Sequence, residues 1–182
     1  MRHAVIRTDN LAAPDMRVEM VSLRYDDAID NGNIVRVGNL ENGSRTVYKA
    51  HTPNSSDKLS DIAIIGSPEI IYDDRAKDLC SFFNKANKIL RGYRLHEHDC
   101  VSITADAFSG TPRLGKSVGI GNGTKLVVTD DDGIGTIIDK NIVGKYTYWV
   151  VEIGGRKTGG GGDPTSNVVG IGRVGSMIVG GD

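Results

Sequence analysis

The chain has 182 residues, enough for one domain, or one domain with extensions, around a buried core. Its 22 Lys and Arg nearly balance its 23 Asp and Glu, for a formal net charge of -1. That balance leaves neither the basic stripe of a nucleic-acid binder nor the polybasic run that favours an anionic membrane surface. The opening Met1–Asp9 lacks the apolar core of a signal peptide, and no apolar run approaches the ~20 residues that span a bilayer. The expectation is a soluble product of a cytoplasm, with no nucleic-acid or membrane partner. Two cysteines, Cys80 and Cys100, are too few for a disulfide framework and read as buried thiols.

In chain order, short β-type runs dominate. Residues 16–23 alternate apolar and polar. Residues 33–37 read as a strand, with 45–50 as its partner, and Ile62–Ile65 reads as a strand buried on both faces. Residues 100–104, 125–129, 135–139 and 146–153 complete the set. The dipeptides Asn31-Gly32, Asn42-Gly43, Asn122-Gly123 and Asp132-Gly133 mark turns, because they tolerate the positive φ of tight hairpins. One segment breaks this pattern. Leu79, Phe82, Phe83, Ala86 and Leu90 fall at helical spacing, which predicts an amphipathic helix over about 74–90, capped by Asp73 or Asp74 and ended by Gly92. The predicted fold class is mainly β (α+β): an antiparallel β-sandwich or small barrel, with one helix plugging its core. Residues 1–153 form the core, either whole or as two β subdomains at 1–72 and 93–153.

Residues 154–182 form a Gly-rich C-terminal tail. The run Gly159–Gly162 has the composition of a flexible linker. The apolar piece after it, residues 167–179, is suited to adding as an edge strand to this body or to a neighbour, or to staying outside the fold.

The motif with the most fixed positions matched is Gly110-Thr-Pro-Arg-Leu-Gly115-Lys116-Ser117, which fits the G-x-x-x-x-G-K-[ST] phosphate loop. That chemistry needs a helix beginning at Lys-Ser, so that its N-terminal amides face the phosphate. Val-Gly-Ile-Gly-Asn-Gly follows instead, and glycines at that density do not sustain a helix. Asp130, at the end of the apolar run from Lys125, resembles a magnesium-holding aspartate. It lies too close to the loop for a crossover unit of roughly 30 residues. The stretch therefore reads as a loop, a strand and a hairpin. His96, His98 and Cys100 would share one face of a strand, with zinc-compatible donors, but the segment reads better as a polar turn. Asp130-Asp131-Asp132-Gly133 lacks the later bidentate Glu of a calcium loop. No residue reads as catalytic, cofactor-binding or metal-ligating, so no cofactor and no enzymatic activity are expected. Tyr146, Tyr148 and Trp149 keep a carbohydrate-binding, adhesin-like β module as the alternative, although alternation places Trp149 on the face opposite the two tyrosines.

The segments "MRHAVIRTDNL", "NGNIVRVGNLENGSRTVYKAHTP", "DIAIIGSPEIIYDD" and "RGYRLHEHDCVSITADAF" come in an order that carries a resemblance. Over roughly residues 1–130 the chain resembles the capsid decoration (head auxiliary, or cement) proteins of tailed phages. In that pattern the turn within "YRLHEHDCVSIT" often holds a glycine where this chain has His98. The resemblance implies a non-enzymatic virion protein on the capsid surface. Its partner would be the major capsid protein, reached through an N-terminal arm, the C-terminal tail or both, with self-association on the shell.

Overall fold

The structure, a computed structural model, describes residues 2–11, 19–70 and 78–154. The C-terminal tail from residue 155 onward lies outside the described residues.

Five strands close a barrel: β2 (Met20–Arg24), β3 (Ile34–Leu40), β4 (Val47–His51), β5 (Ile62–Ile65) and β6 (Ile89–Arg94), joined in the order β2-β4-β3-β5-β6. The other seven form one sheet: β1 (Ile6–Arg7), β7 (Cys100–Thr104), β8 (Phe108–Ser109), β9 (Ser117–Gly119), β10 (Leu126–Thr129), β11 (Gly135–Val143) and β12 (Tyr146–Ile153). Their order is β1-β7-β12-β11-β9-β10-β8. The mainly β class therefore holds, as a closed barrel beside a separate sheet. Two pairings, β2 with β4 and β10 with β8, are parallel, where an antiparallel fold was expected.

The barrel and the sheet share a core. Ile34, Ile62, Ile64 and Tyr93 from barrel strands pack with residues of the sheet such as Val101, Ile103, Val118 and Ile137. A second cluster fills the barrel itself, with Val21, Leu23, Val35, Ala63, Ile65 and Leu90. Successive side chains of a strand point to opposite faces, so β5 sends Ile62 and Ile64 to the shared core and Ala63 and Ile65 into the barrel. That explains why "IAII" reads as an unbroken apolar run. Across the seam, the Ile34 amide donates to the Thr124 carbonyl at 2.7 Å, and Asn33 Nδ2 donates to Thr124 Oγ1 at 3.2 Å.

The predicted helix is overturned. Residues 74–77 lie outside the described residues. From there the chain makes one 3-10 turn, Leu79–Ser81, and then passes through an isolated bridge at Asn84 and a turn at 86–88 into β6. The apolar spacing was coincidental, and two asparagines decide the local path. Asn84 forms a two-bond antiparallel bridge with Ile29, at 2.9 Å each way, and its side chain donates to the Ile29 carbonyl and to Asn31 Oδ1. Asn87 takes the left-handed conformation (φ 60°), which breaks a helix, and its amide donates to the Tyr25 carbonyl. Gly92, the expected helix stop, lies inside β6.

The N-terminal stretch is part of this body. β1 pairs antiparallel with β7, and Ala4 and Val5 are buried. His3 is clasped on three sides. Its amide donates to the Cys80 carbonyl at 2.9 Å, its Nδ1 meets Asp30 Oδ1 at 2.7 Å, and its ring stacks on Phe83 at 4.9 Å. Residues 2–11, expected as part of a capsid-contacting N-terminal arm, are docked on this body.

Candidate interaction surface

Each motif residue singled out in the sequence has a structural place. A strand, β9, follows Lys116, and no helix starts there. β9 pairs antiparallel with β10, which sets Ser117 opposite Thr129. One residue beyond that pair, Lys116 Nζ donates to Asp130 Oδ1, so the two residues that mimic a phosphate loop and its magnesium ligand neutralise each other on the surface. Of the four glycine dipeptides, Gly32 and Gly43 take positive φ (84° and 79°), whereas Gly123 and Gly133 do not. Gly133 is required for closeness instead. A Cβ there would lie 2.1 Å from the Val118 carbonyl oxygen.

His96, His98 and Cys100 are not brought together as ligands. The nearest anionic oxygens to His96 belong to Glu19, at 3.7 Å, and Asp99, at 3.8 Å. His98 faces Glu152 at 3.7 Å. Among the described residues, no group of three or more His, Cys, Asp or Glu side chains converges on a metal-sized site. The segment is a stapled turn. Asp99 accepts from the His96 amide at 2.8 Å, and the His98 amide donates to the Ile153 carbonyl at 2.9 Å. His98 itself sits at φ 71°, a conformation that glycine adopts more readily, at the position where the resembled pattern often holds glycine. Burial pushes the Cys100 thiol up, with Glu152 and Asp99 adding to the shift.

The aromatic residues do not form an exposed platform. Tyr148 is 3% exposed, with the Arg7 guanidinium 5.9 Å from its ring centre. Burial, followed by the nearby Glu69 charge, raises its phenol. The Tyr146 hydroxyl donates to Asp78, and Lys140 Nζ lies 5.2 Å over the Trp149 ring.

What the surface does offer is the β11–β12 hairpin. Its turn is the dipeptide Gly144-Lys145, with Gly144 at φ 60°, the position at which a type II′ hairpin turn takes glycine. The inner end of β11 is covered, because Ile137 exchanges backbone bonds with Lys116 and Gly115 at 2.9 and 2.8 Å. A one-residue bulge follows at Ile138. From Ile138 to Val143 every residue is exposed, and no described strand pairs with the outer edge of this stretch, because the pairing of β11 with β9 ends at Thr136. Three large apolar side chains stand there: Ile138 (47% exposed), Ile142 (72%) and Val143 (47%). In a two-residue hairpin the flanking pair, here Val143 and Tyr146, exchanges hydrogen bonds. The backbone groups of 143, 141 and 139 therefore point toward β12, and those of 142 and 140 point outward. Asp78 braces the tip by accepting from Lys145 and Tyr146, and the Lys145 ammonium holds its carboxyl below the ordinary range.

A second feature is an open groove of about 840 Å³ beside β6, lined by Ile70, Phe82, Phe83, Ile89, Lys85 and Lys88 among others.

No family model, no curated protein and no solved structure matches the chain. Sequence reasoning missed the exposed edge. It placed 135–139 in a strand without seeing that the strand runs on to Val143 beyond its neighbour. The available signal was the Ile142-Val143-Gly144 run, where apolar residues meet a turn glycine.

Proposed function

We propose that this chain is a structural, non-enzymatic virion protein that binds the outer surface of a tailed-phage capsid and reinforces the head, with the major capsid protein as its partner. The observation that carries the reading is the projecting β11 edge. Among the described residues, its stretch Ile138–Val143 presents unpaired main-chain groups together with exposed Ile138, Ile142 and Val143. Such a surface suits association with another protein through strand addition and apolar contact, and it needs no deep pocket. The resemblance over roughly residues 1–130 supports the same reading, and so does the left-handed turn at His98. A partner that binds only the assembled shell stabilises it by mass action.

The test mixes the full-length protein with capsids that lack it, then measures co-sedimentation and resistance of the capsids to heat. Binding with a gain in resistance is expected. Capsids that sediment alone and melt unchanged would refute the proposal.

A further inference from the structure

We infer that the free edge of β11 binds the same edge of a second copy of this chain, antiparallel about a two-fold axis at Asn141. This rests on the reading of the hairpin as an association surface and does not depend on the identity of the shell.

Geometry restricts the pairing. Hydrogen-bonded pairs across a new antiparallel ladder must join residues whose backbone groups point outward, which here are 140 and 142. Centring the axis on Asp139 sets Asp139 against Asp139 of the second copy. Centring it on Lys140 sets two lysines together. Like charges directly opposite are destabilising. Centring it on Ile142 shortens the overlap to the tip of the hairpin. The axis at Asn141 leaves none of these faults. Lys140 lies opposite Ile142 of the second copy, twice by symmetry, and the two Asn141 amides meet at the axis. The Lys140 ammonium already lies over the Trp149 ring, so Ile142 of the second copy joins the face of the sheet that carries Trp149. The ends fit as well. In this register Gly144 of the second copy comes beside the bulged Ile138, where the pairing of β11 with β9 has just ended. Gly144 has no side chain, and the space around it is open. The result is a sheet continuous through both copies. Its main-chain edge is then taken up by the second copy, and the exposed faces of the two hairpins are left to meet the shell, with the gain in avidity that two linked contacts bring.

The test is sedimentation velocity of the full-length protein, without capsids, over a concentration series. A reversible monomer–dimer equilibrium is expected, with hydrogen exchange at the Lys140 and Ile142 amides slowing as the dimer forms. Ile142→Lys puts lysine opposite Lys140 twice and should weaken the dimer about tenfold or more. Adding Lys140→Glu to that variant turns both repulsions into attractions and should restore dimerisation. Ile142 is largely exposed, so neither change threatens the fold. A protein that stays monomeric throughout overturns the inference. So does a dimer indifferent to Ile142→Lys, a double variant that fails to recover, or protection of the edge that is independent of concentration, which would mean that the chain covers its own edge. A monomer that still binds capsids refutes this inference alone, whereas a dimer that ignores them refutes only the proposed function.

Discussion

Replacing Asn31 with alanine removes the centre of a buried polar network. Asn31 is 1% exposed. Its Nδ2 donates to the Ser67 carbonyl at 2.9 Å and to Glu69 Oε1 at 3.2 Å, while its Oδ1 accepts from the Ser67 amide at 3.0 Å and from Asn84 Nδ2 at 3.0 Å. Ser67 and Glu69 are half-buried, so water can replace part of what they lose. The Asn84 hydrogen is buried, and a buried donor left unsatisfied costs about 1–3 kcal/mol. With that donor at about 2 kcal/mol and the bonds to Ser67 and Glu69 adding about 1 kcal/mol together, the loss is about 3 kcal/mol. That is a large share of the ~5–15 kcal/mol that holds a domain together. For a chain of this size it lowers Tm by about 6–12 °C. Urea and thermal unfolding of the variant measure the loss directly, with Asn39→Ala, at an exposed position, as the control. A loss below about 1 kcal/mol would refute the claim that this network pins the Asn31 turn to Ser67 and Asn84.

Five further outcomes follow from the same geometry. Gly133→Ala drives a Cβ into the Val118 backbone and should cost about 2–3 kcal/mol in chemical unfolding. Lys116→Ala should shift stability by less than about 0.5 kcal/mol, because its partner Asp130 is largely exposed. Burial raises the Glu69 carboxyl, with the Asn31 hydrogen bond opposing the shift, so the folded state disfavours the charged form. Glu69→Gln should therefore stabilise the protein at neutral pH, with a gain that disappears below the ordinary carboxylate range, where Glu69 is protonated both folded and unfolded. Asp78 shifts the other way. Its carboxyl should titrate by NMR below the usual range, and its support for the fold should be lost as pH falls through that lowered value. Lys145→Ala should move the titration back up.

Much of the β framework was legible because the strands are rich in Val and Ile and are bounded by turn dipeptides. Ile62–Ile65, Cys100–Thr104 and Tyr146–Ile153 carry the residues expected of them. The 79–90 segment was misread because Leu79, Phe82, Phe83 and Leu90 match helical spacing while their actual contacts are unrelated. Phe83 stacks on His3, and Leu90 enters the barrel. The deciding interactions are made with Ile29, Asn31 and Tyr25, more than fifty residues away in sequence, and no local pattern encodes them. The strand that follows Lys116 was legible, since glycine density after Ser117 is a local property. The candidate surface was less accessible. Exposure of Ile142 depends on where β9 stops, and that is a fact of sheet topology.

The pairing of β1 with β7 also bears on how the chain is made. Ile6 pairs with Ile103 and Arg7 with Ser102. Every strand of the barrel lies between those partners in sequence. At about 5–20 residues per second, β1 is made about 5–20 s before Thr104 completes its docking site, and the whole barrel is made within that interval. Val5 and Ile6 must therefore wait, unshielded, while the barrel closes, and the first strand synthesised is among the last to find its place. A series of nascent chains in which Thr104 is either still inside the ribosome or released from it should show the amino terminus passing abruptly from protease-sensitive to resistant.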